Sequence, residues 1–320
     1  MHTLTKLPGR LTWSMALLFS AMATGCGGGG DGRGPILGAG GVAAAGGGAG
    51  IQVAGTKPTT TPATFATLLG SAARFGIFGG SAGMTNTGTQ TVITGSGATA
   101  DIGTTATGTS SITGFHDSAG DIYTETPANV GNVTGKIFTC TNSTTGPTLA
   151  GVNAASCTTA TNALAAAQTA YDTLVAQPAG PNPGAGNLAN LTLAPGVFTA
   201  AAGSFKIEGG DLTLDAQGDP NAVWVFQMAT TLRVGGPGAA FPQSIILAGG
   251  AQAKNVYWQV GSAATINAGG GGTMVGTIIS KAGVTFSTAA NTALTTLNGR
   301  ALSLGASVTM VNTVITVPAP

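Results

Sequence analysis

Five short runs decide the reading of this chain: Asp211-Leu-Thr-Leu-Asp215, Thr231-Leu-Arg-Val234, Ala264-Thr-Ile-Asn267, Gly283-Val-Thr-Phe-Ser287 and Ser307-Val-Thr-Met310. Each alternates apolar and small polar residues. In a β-strand, side chains i and i+2 share a face, so such a run buries one set and shows the other. The inward set is Leu212/Leu214, Leu232/Val234, Ile266, Val284/Phe286 and Val308/Met310. The outward set is Thr213, Thr231/Arg233, Thr265/Asn267, Thr285/Ser287 and Ser307/Thr309. Between these runs lie Val223-Trp-Val-Phe-Gln-Met228, Val256-Tyr-Trp-Gln-Val260, Val275-Gly-Thr-Ile-Ile279 and Gly299-Arg-Ala-Leu302. They are more continuously apolar, as strands covered on both faces tend to be. Two strand types recurring in turn, with a period of roughly 20 to 30 residues, are the mark of a solenoid. The period is uneven, which predicts irregular rungs.

Upstream, Ser71-Ala-Ala-Arg-Phe-Gly-Ile-Phe-Gly79 reads as an opening strand and Met84-Thr-Asn-Thr-Gly88 as a turn. Gln90-Thr-Val-Ile-Thr94 and Ala98-Thr-Ala-Asp-Ile-Gly103 are Thr-rich strands, residues 113–125 a polar loop, and 132–138 a further strand. One good helix follows, over about residues 159–177. Thr158 or Thr159 can cap it. Ala160, Leu164, Ala167, Tyr171 and Leu174/Val175 recur at threes and fours as one apolar stripe. Thr161, Asn162, Gln168 and Asp172 form its polar face, and Pro178 ends it. The helix is expected to lie along the solenoid, stripe inward, over the more apolar strands.

The first 25 residues read as an export signal. Lys6 and Arg10 make a basic n-region, and an apolar stretch follows that is too short for a membrane span. Ala23-Thr24-Gly25-Cys26 then resembles a bacterial lipoprotein signal, which implies cleavage before Cys26 and lipidation of its sulfur. Gly27, rather than Asp, follows; by the bacterial sorting pattern this points to the outer membrane or cell surface. An ordinary secretory signal, with the protein released, is the alternative. Residues 26–62 are rich in Gly, Ala, Thr and Pro and read as a flexible tether, leaving 63–320 as one domain. With Cys26 lipidated, Cys140 and Cys157 remain. In an oxidising compartment a disulfide is the default, and a loop of that size gains about 3 kcal/mol.

Only 7% of residues are charged, glycine accounts for 54 of 320, and the formal net charge is +1. Such a chain has no electrostatic reason to bind nucleic acid. A surface of Thr, Ser, Gly, Ala and Asn offers neutral hydrogen bonding over a wide area, which suits a regular lattice or a polymer better than a charged metabolite.

Leu191-Thr-Leu-Ala-Pro-Gly-Val-Phe198, the stretch from Leu212 through Asp215 and Trp224 to Gln227, Asn255-Val-Tyr-Trp-Gln-Val-Gly261, Val275-Gly-Thr-Ile278 and Asn298-Gly-Arg-Ala-Leu302 together carry a resemblance. The chain is similar, over about residues 66–315, to the ice-binding proteins of bacteria, diatoms and cold-living fungi. The resemblance implies an all-β fold with one long helix: an irregular, discontinuous right-handed β-solenoid of triangular cross-section, helix alongside. Residues 115–126 and 139–157 depart from the family pattern, the latter as a capping insertion. The implied mechanism is adsorption to an ice crystal surface. Adjacent rungs lie about 4.7–4.9 Å apart, and each threonine offers a methyl, a hydroxyl and few rotamers. The candidate face is Thr231, Thr265, Asn267, Thr285, Ser287, Ser307 and Thr309, with Arg233 disturbing the rank or ending it.

No catalytic apparatus is expected, and no cofactor or metal. His116, Asp117, Asp121 and Glu125 read as a solvated loop, and Asp215 and Asp219 as turn residues. Gly269 to Gly272 lacks a P-loop lysine. The partners expected are ice and, through Cys26, a lipid membrane, with the chain a monomer. The competing reading is a cell-surface adhesin or structural module that binds polysaccharide or another cell. Trp224, Tyr257 and Trp258 sit on the apolar strands, where helix and core would cover them, and this favours ice.

Overall fold

The expected alternation is realised residue by residue. Leu212, Leu214, Ile266, Val284, Phe286 and Val308 are fully buried, and Leu232, Val234 and Met310 nearly so. They fill the interior of a three-sided solenoid, seen in a computed structural model that describes residues 52–96, 99–236 and 241–319. The signal segment, Cys26 and most of the tether lie outside the described residues. Strands are parallel throughout a 19-stranded sheet and a 3-stranded one, apart from the short antiparallel pair Phe115–Asp117 and Ile122–Tyr123.

The first side is a stack of eight strands: Gly196–Thr199, Trp224–Met228, Val256–Val260, the second halves of Thr273–Ser280 and Thr295–Ser303, then Phe75–Gly79, Asp101–Thr104 and Ile137–Thr139. The chain therefore runs out of order. Its earliest rungs stack beyond its latest ones, and the helix Ala154–Val175 carries the chain back between them. Its length fits that task. Its 22 residues reach about 33 Å at 1.5 Å each. Seven steps between eight strands span about 34 Å.

The helix buries Ala160, Ala163, Ala167, Ala170, Tyr171 and Leu174 against Phe75, Phe78, Val197, Val225, Tyr257, Ile279 and Leu302. Four alanines let it approach closely. Leu164 is only partly covered and Val175 is 50% exposed, so the stripe turns slightly from the one expected. The helix also starts earlier. Its cap is Asn153, whose side chain accepts from the N–H groups of Ala155 and Ser156, and not Thr158 or Thr159. Those threonines donate to backbone carbonyls four residues back, as helix-interior threonines do. Cys157 thus falls in the first turn and is disulfide-bonded to Cys140, just past strand Ile137–Thr139.

Inside, Phe198, Phe226 and Trp258 stack on successive rungs, the last pair with ring centroids 4.0 Å apart. Trp224 and Trp258 are fully buried, their indole N–H groups donating to the carbonyls of Leu193 and Val275.

Three further stretches differ from the sequence reading. Residues 84–88, read as a turn, open the long strand Met84–Ser96, and the polar loop over 113–125 contains three short strands. Residues 52–61, within the stretch read as tether, are tied to the solenoid. Val53 bridges to Leu193 and Thr56 to Val197, while Gln177 accepts from the N–H of Thr59 and of Thr60. These bridges cover edge strands at the Gly196–Thr199 end.

Candidate functional site

Of the three sides, the helix covers one. A second is broken into two blocks. Thr192–Leu193, Leu212–Asp215 and Ile245–Ala248 form the separate three-stranded sheet. The other block runs from Thr273 through Thr296, Val314, Val92 and Asn132 to His116. The outward residues of this broken side are mixed and include Ile246, which is 47% exposed. Asp211 to Asp215 thus belongs to this side despite sharing the alternation of the other runs.

The third side is unbroken and open. Its seven strands are Phe205–Ile207, Leu232–Val234, Ala264–Ile266, Val284–Phe286, Val308–Val311, the start of Met84–Ser96, and Ile112–Thr113. The outward residue at the centre of each is, in order, Lys206, Arg233, Thr265, Thr285, Thr309, Thr85 and Thr113. Five threonines on consecutive rungs stand in exact register. Parallel pairing sets them about 4.8 Å apart, and the hydroxyl of Thr309 donates to that of Thr285 at 3.1 Å. β-branching leaves each few rotamers, so the row of methyls and hydroxyls is pre-organised.

Flatness comes from the column beside it. Two residues before each central position stand Ser204, Thr231, Ala263, Gly283, Ser307, Gly83 and Ser111. None is long enough to rise above a threonine. Thr231 is exposed and Ser307 half-buried in this column, with the hydroxyl of Ser204 3.0 Å from that of Thr231.

On the opposite edge the sequence reading needs correction. Asn267 and Ser287 do not face solvent: each is 1% exposed. Their φ angles of 44° and 60° put them in the left-handed region, where the chain turns the corner out of the strand. Asn267 spends its amide inward, accepting from the N–H of Gln243 and donating to its carbonyl, both at 3.0 Å. The i, i+2 rule carried each strand one residue past its end. Conversely, Thr85 and Thr113 were missed. The apolar–threonine step is present at Met84-Thr85 and Ile112-Thr113, but the inward residue after Thr85 is Asn86, which hid the alternation. Asn86 is fully buried and satisfied, accepting from the hydroxyl of Thr91 at 2.6 Å and donating to the carbonyl of Gly114.

The row ends in charge at Arg233. Glu208 pairs with Lys206 at 3.0 Å and with Arg233. Burial alone would raise the Glu208 carboxyl pKa, but hydrogen bonds and charge from Lys206 and Arg233 outweigh it and hold it below the usual range.

The acidic loop is structural. Asp117 accepts from the N–H groups of Ala119, Asp121 and Ile137, Asp121 from that of Thr148, and Glu125 lies 2.7 Å from His116 Nδ1. Among the described residues no group of three or more His, Cys, Asp or Glu is arranged to hold a metal. Asp215 and Asp219 accept from the backbone two residues on, as turn residues do.

Comparison with known proteins places this geometry. The Ice-binding-like family profile matches residues 78–316, well over half of the chain. An ice-binding protein of Nostoc sp. (strain HG1) is 34% identical over 252 residues, covering 79% of this chain and 74% of that protein. Ice-binding protein 1 of Shewanella frigidimarina is 43% identical over 96 residues, but the match covers only 28% of this chain and 10% of that longer protein. Among solved structures, a glycosylated ice-binding protein from an Arctic yeast superposes with a TM-score of 0.60 at 29% identity, covering 79% of this chain and 93% of that one. The chain belongs to the ice-binding-like family.

Proposed function

We propose that the chain adsorbs to ice through its open threonine side and so restrains ice growth or recrystallisation. The observation that carries this is the in-register row Thr265, Thr285, Thr309, Thr85 and Thr113, backed by a column of small residues on the side that, among the described residues, is neither covered nor broken. Single contacts are weak, and adsorption comes from many made at once by groups that lose little freedom. The competing polysaccharide reading needs an exposed aromatic groove. Trp224, Tyr257 and Trp258 are all at most 2% exposed, which argues against it.

The test is to grow an ice hemisphere in a dilute solution of the fluorescently labelled chain. Incorporation into ice bears out the reading and maps the planes bound. Exclusion from ice, with the fold intact by circular dichroism, rejects it.

The same reading extends to location. The basic n-region, the apolar stretch and Cys26 support export with a lipid anchor, which would hold the chain at a cell surface facing ice. Labelling with a radioactive fatty acid that persists after Cys26→Ser would reject the anchor. The bridges over the edge strands at residues 52–61 support a monomer, which sedimentation at several concentrations tests.

A further inference from the structure

The threonine side has seven rungs but only five threonines at its centre, and the two exceptions are adjacent. Lys206 stands beside Arg233 in the parallel register, and Arg233 beside Thr265. Two cations side by side on one sheet face repel. Here the carboxylate of Glu208, at the end of the Lys206 strand, forms an ion pair with each. Its side chain is only 15% exposed, while those of Lys206 and Arg233 are 45% and 46% exposed. The pairing fixes two long side chains toward Glu208, at the corner edge of the face, in place of two short threonines.

A charged group is costly to take out of liquid water. An ice lattice cannot rearrange around it as liquid does. A paired ammonium and guanidinium therefore favour a liquid layer over their rungs, and both side chains are longer than those of the threonine row.

We propose that the Lys206–Glu208–Arg233 triad sets the extent of the ice-contacting surface: it ends contact at Thr265 and withholds two of seven rungs from the crystal. This rests on the reading of the threonine side as the ice surface. The rest of the scaffold is ready for longer contact, because Ser204 and Thr231 continue the small column past both charged rungs and the inward residues Phe205, Ile207, Leu232 and Val234 are buried like those of every other rung.

The experiment compares thermal hysteresis of the full chain with the triple variant K206T/E208T/R233T and with Thr265→Arg, melting temperatures being measured alongside, and with Thr285→Tyr as a control on the underlying reading. The triple variant is expected to gain at least about 1.4-fold, the ratio of seven rungs to five, because linked weak contacts reinforce one another. Thr265→Arg, which moves the charged boundary one rung inward, is expected to lose activity. If Thr285→Tyr is inactive while the triple variant gains nothing, the ice surface stands and the boundary role is overturned. Unchanged activity in folded Thr265→Arg overturns it equally, and needs no triple variant that folds. Full activity in folded Thr285→Tyr removes the ice-surface reading and this proposal with it.

Discussion

The helix side and the threonine side are built on the same rungs, a few residues apart in the chain, and they end in opposite states. Both send apolar residues inward to one core. Outward, the helix side presents Phe75, Phe78, Val197, Val225, Tyr257, Ile279 and Leu302, and a 22-residue helix covers them. The threonine side presents Thr85, Thr113, Thr265, Thr285 and Thr309 in the same register, and among the described residues no helix or strand covers them. The backbone is neutral between these outcomes. Outward side chains decide whether a face becomes a second core or an open surface.

The sharpest way to break that contrast is Thr285→Tyr, at the centre of the open row. The ring would stand above the neighbouring threonines and spoil the plane, while the strand keeps a residue of good β-propensity. Ice adsorption should fall to background with the melting temperature unchanged. Adsorption retained by the folded variant would move the site to the broken side.

Leu174→Ala is the converse test on the covered face. Leu174 lies on the inward face of the helix and is fully buried, so truncation should cost about 2–5 kcal/mol of stability. Ice adsorption of the still-folded variant in the cold should be unchanged, since the two outward faces share only the core between them. A denaturant titration with hysteresis measured on the same samples checks both halves. A change in hysteresis at full folding would show that the sides are coupled.

How far the sequence carried the fold follows from what is local and what is not. Strand alternation is local, and the buried set at Leu232, Val234, Ile266, Val284 and Phe286 was legible from it. So was the existence of the helix, and so was the pairing of Cys140 with Cys157, since those are the two cysteines left once Cys26 is set aside as the expected lipidation site. Rung order is not local. Thr85 stands beside Thr309 because the first rungs stack beyond the last, a pairing 224 positions apart that no run of residues announces. Corners were illegible for a different reason. Asn267 and Ser287 sit where alternation would continue outward, and only their left-handed backbone turns them in. Residues 211–215 show the same limit: an open and a broken side use one alternation, and the sequence does not say which is which.

The disulfide joins the end of the strand stack to the helix that covers it, so it bears on only one of the two sides. Replacing Cys140 and Cys157 by serine opens a crosslink between residues separated by 17 positions. The chain-entropy model gives a loss of about 3 kcal/mol. Thermal melts should shift accordingly, and the ice planes decorated below the melt should stay the same. A change in those planes would mean that the cap at residues 139–157 helps shape the threonine side.

The smallest effect expected is at the helix start. Asn153 accepts from two of the N–H groups that an α-helix leaves unpaired at its N-terminus. Asn153→Ala should cost about 1 kcal/mol. The neighbouring disulfide already restrains this turn through Cys157, so the cap and the crosslink act on the same few residues. Contacts that share a segment do not contribute independently. The penalty of Asn153→Ala should therefore be larger in the Cys140→Ser/Cys157→Ser background, where the first turn is free to fray, than in the oxidised chain. A double-mutant cycle by denaturant titration measures the difference. Equal penalties in both backgrounds would mean that cap and crosslink contribute independently, the first turn being held in place whether or not the disulfide is closed.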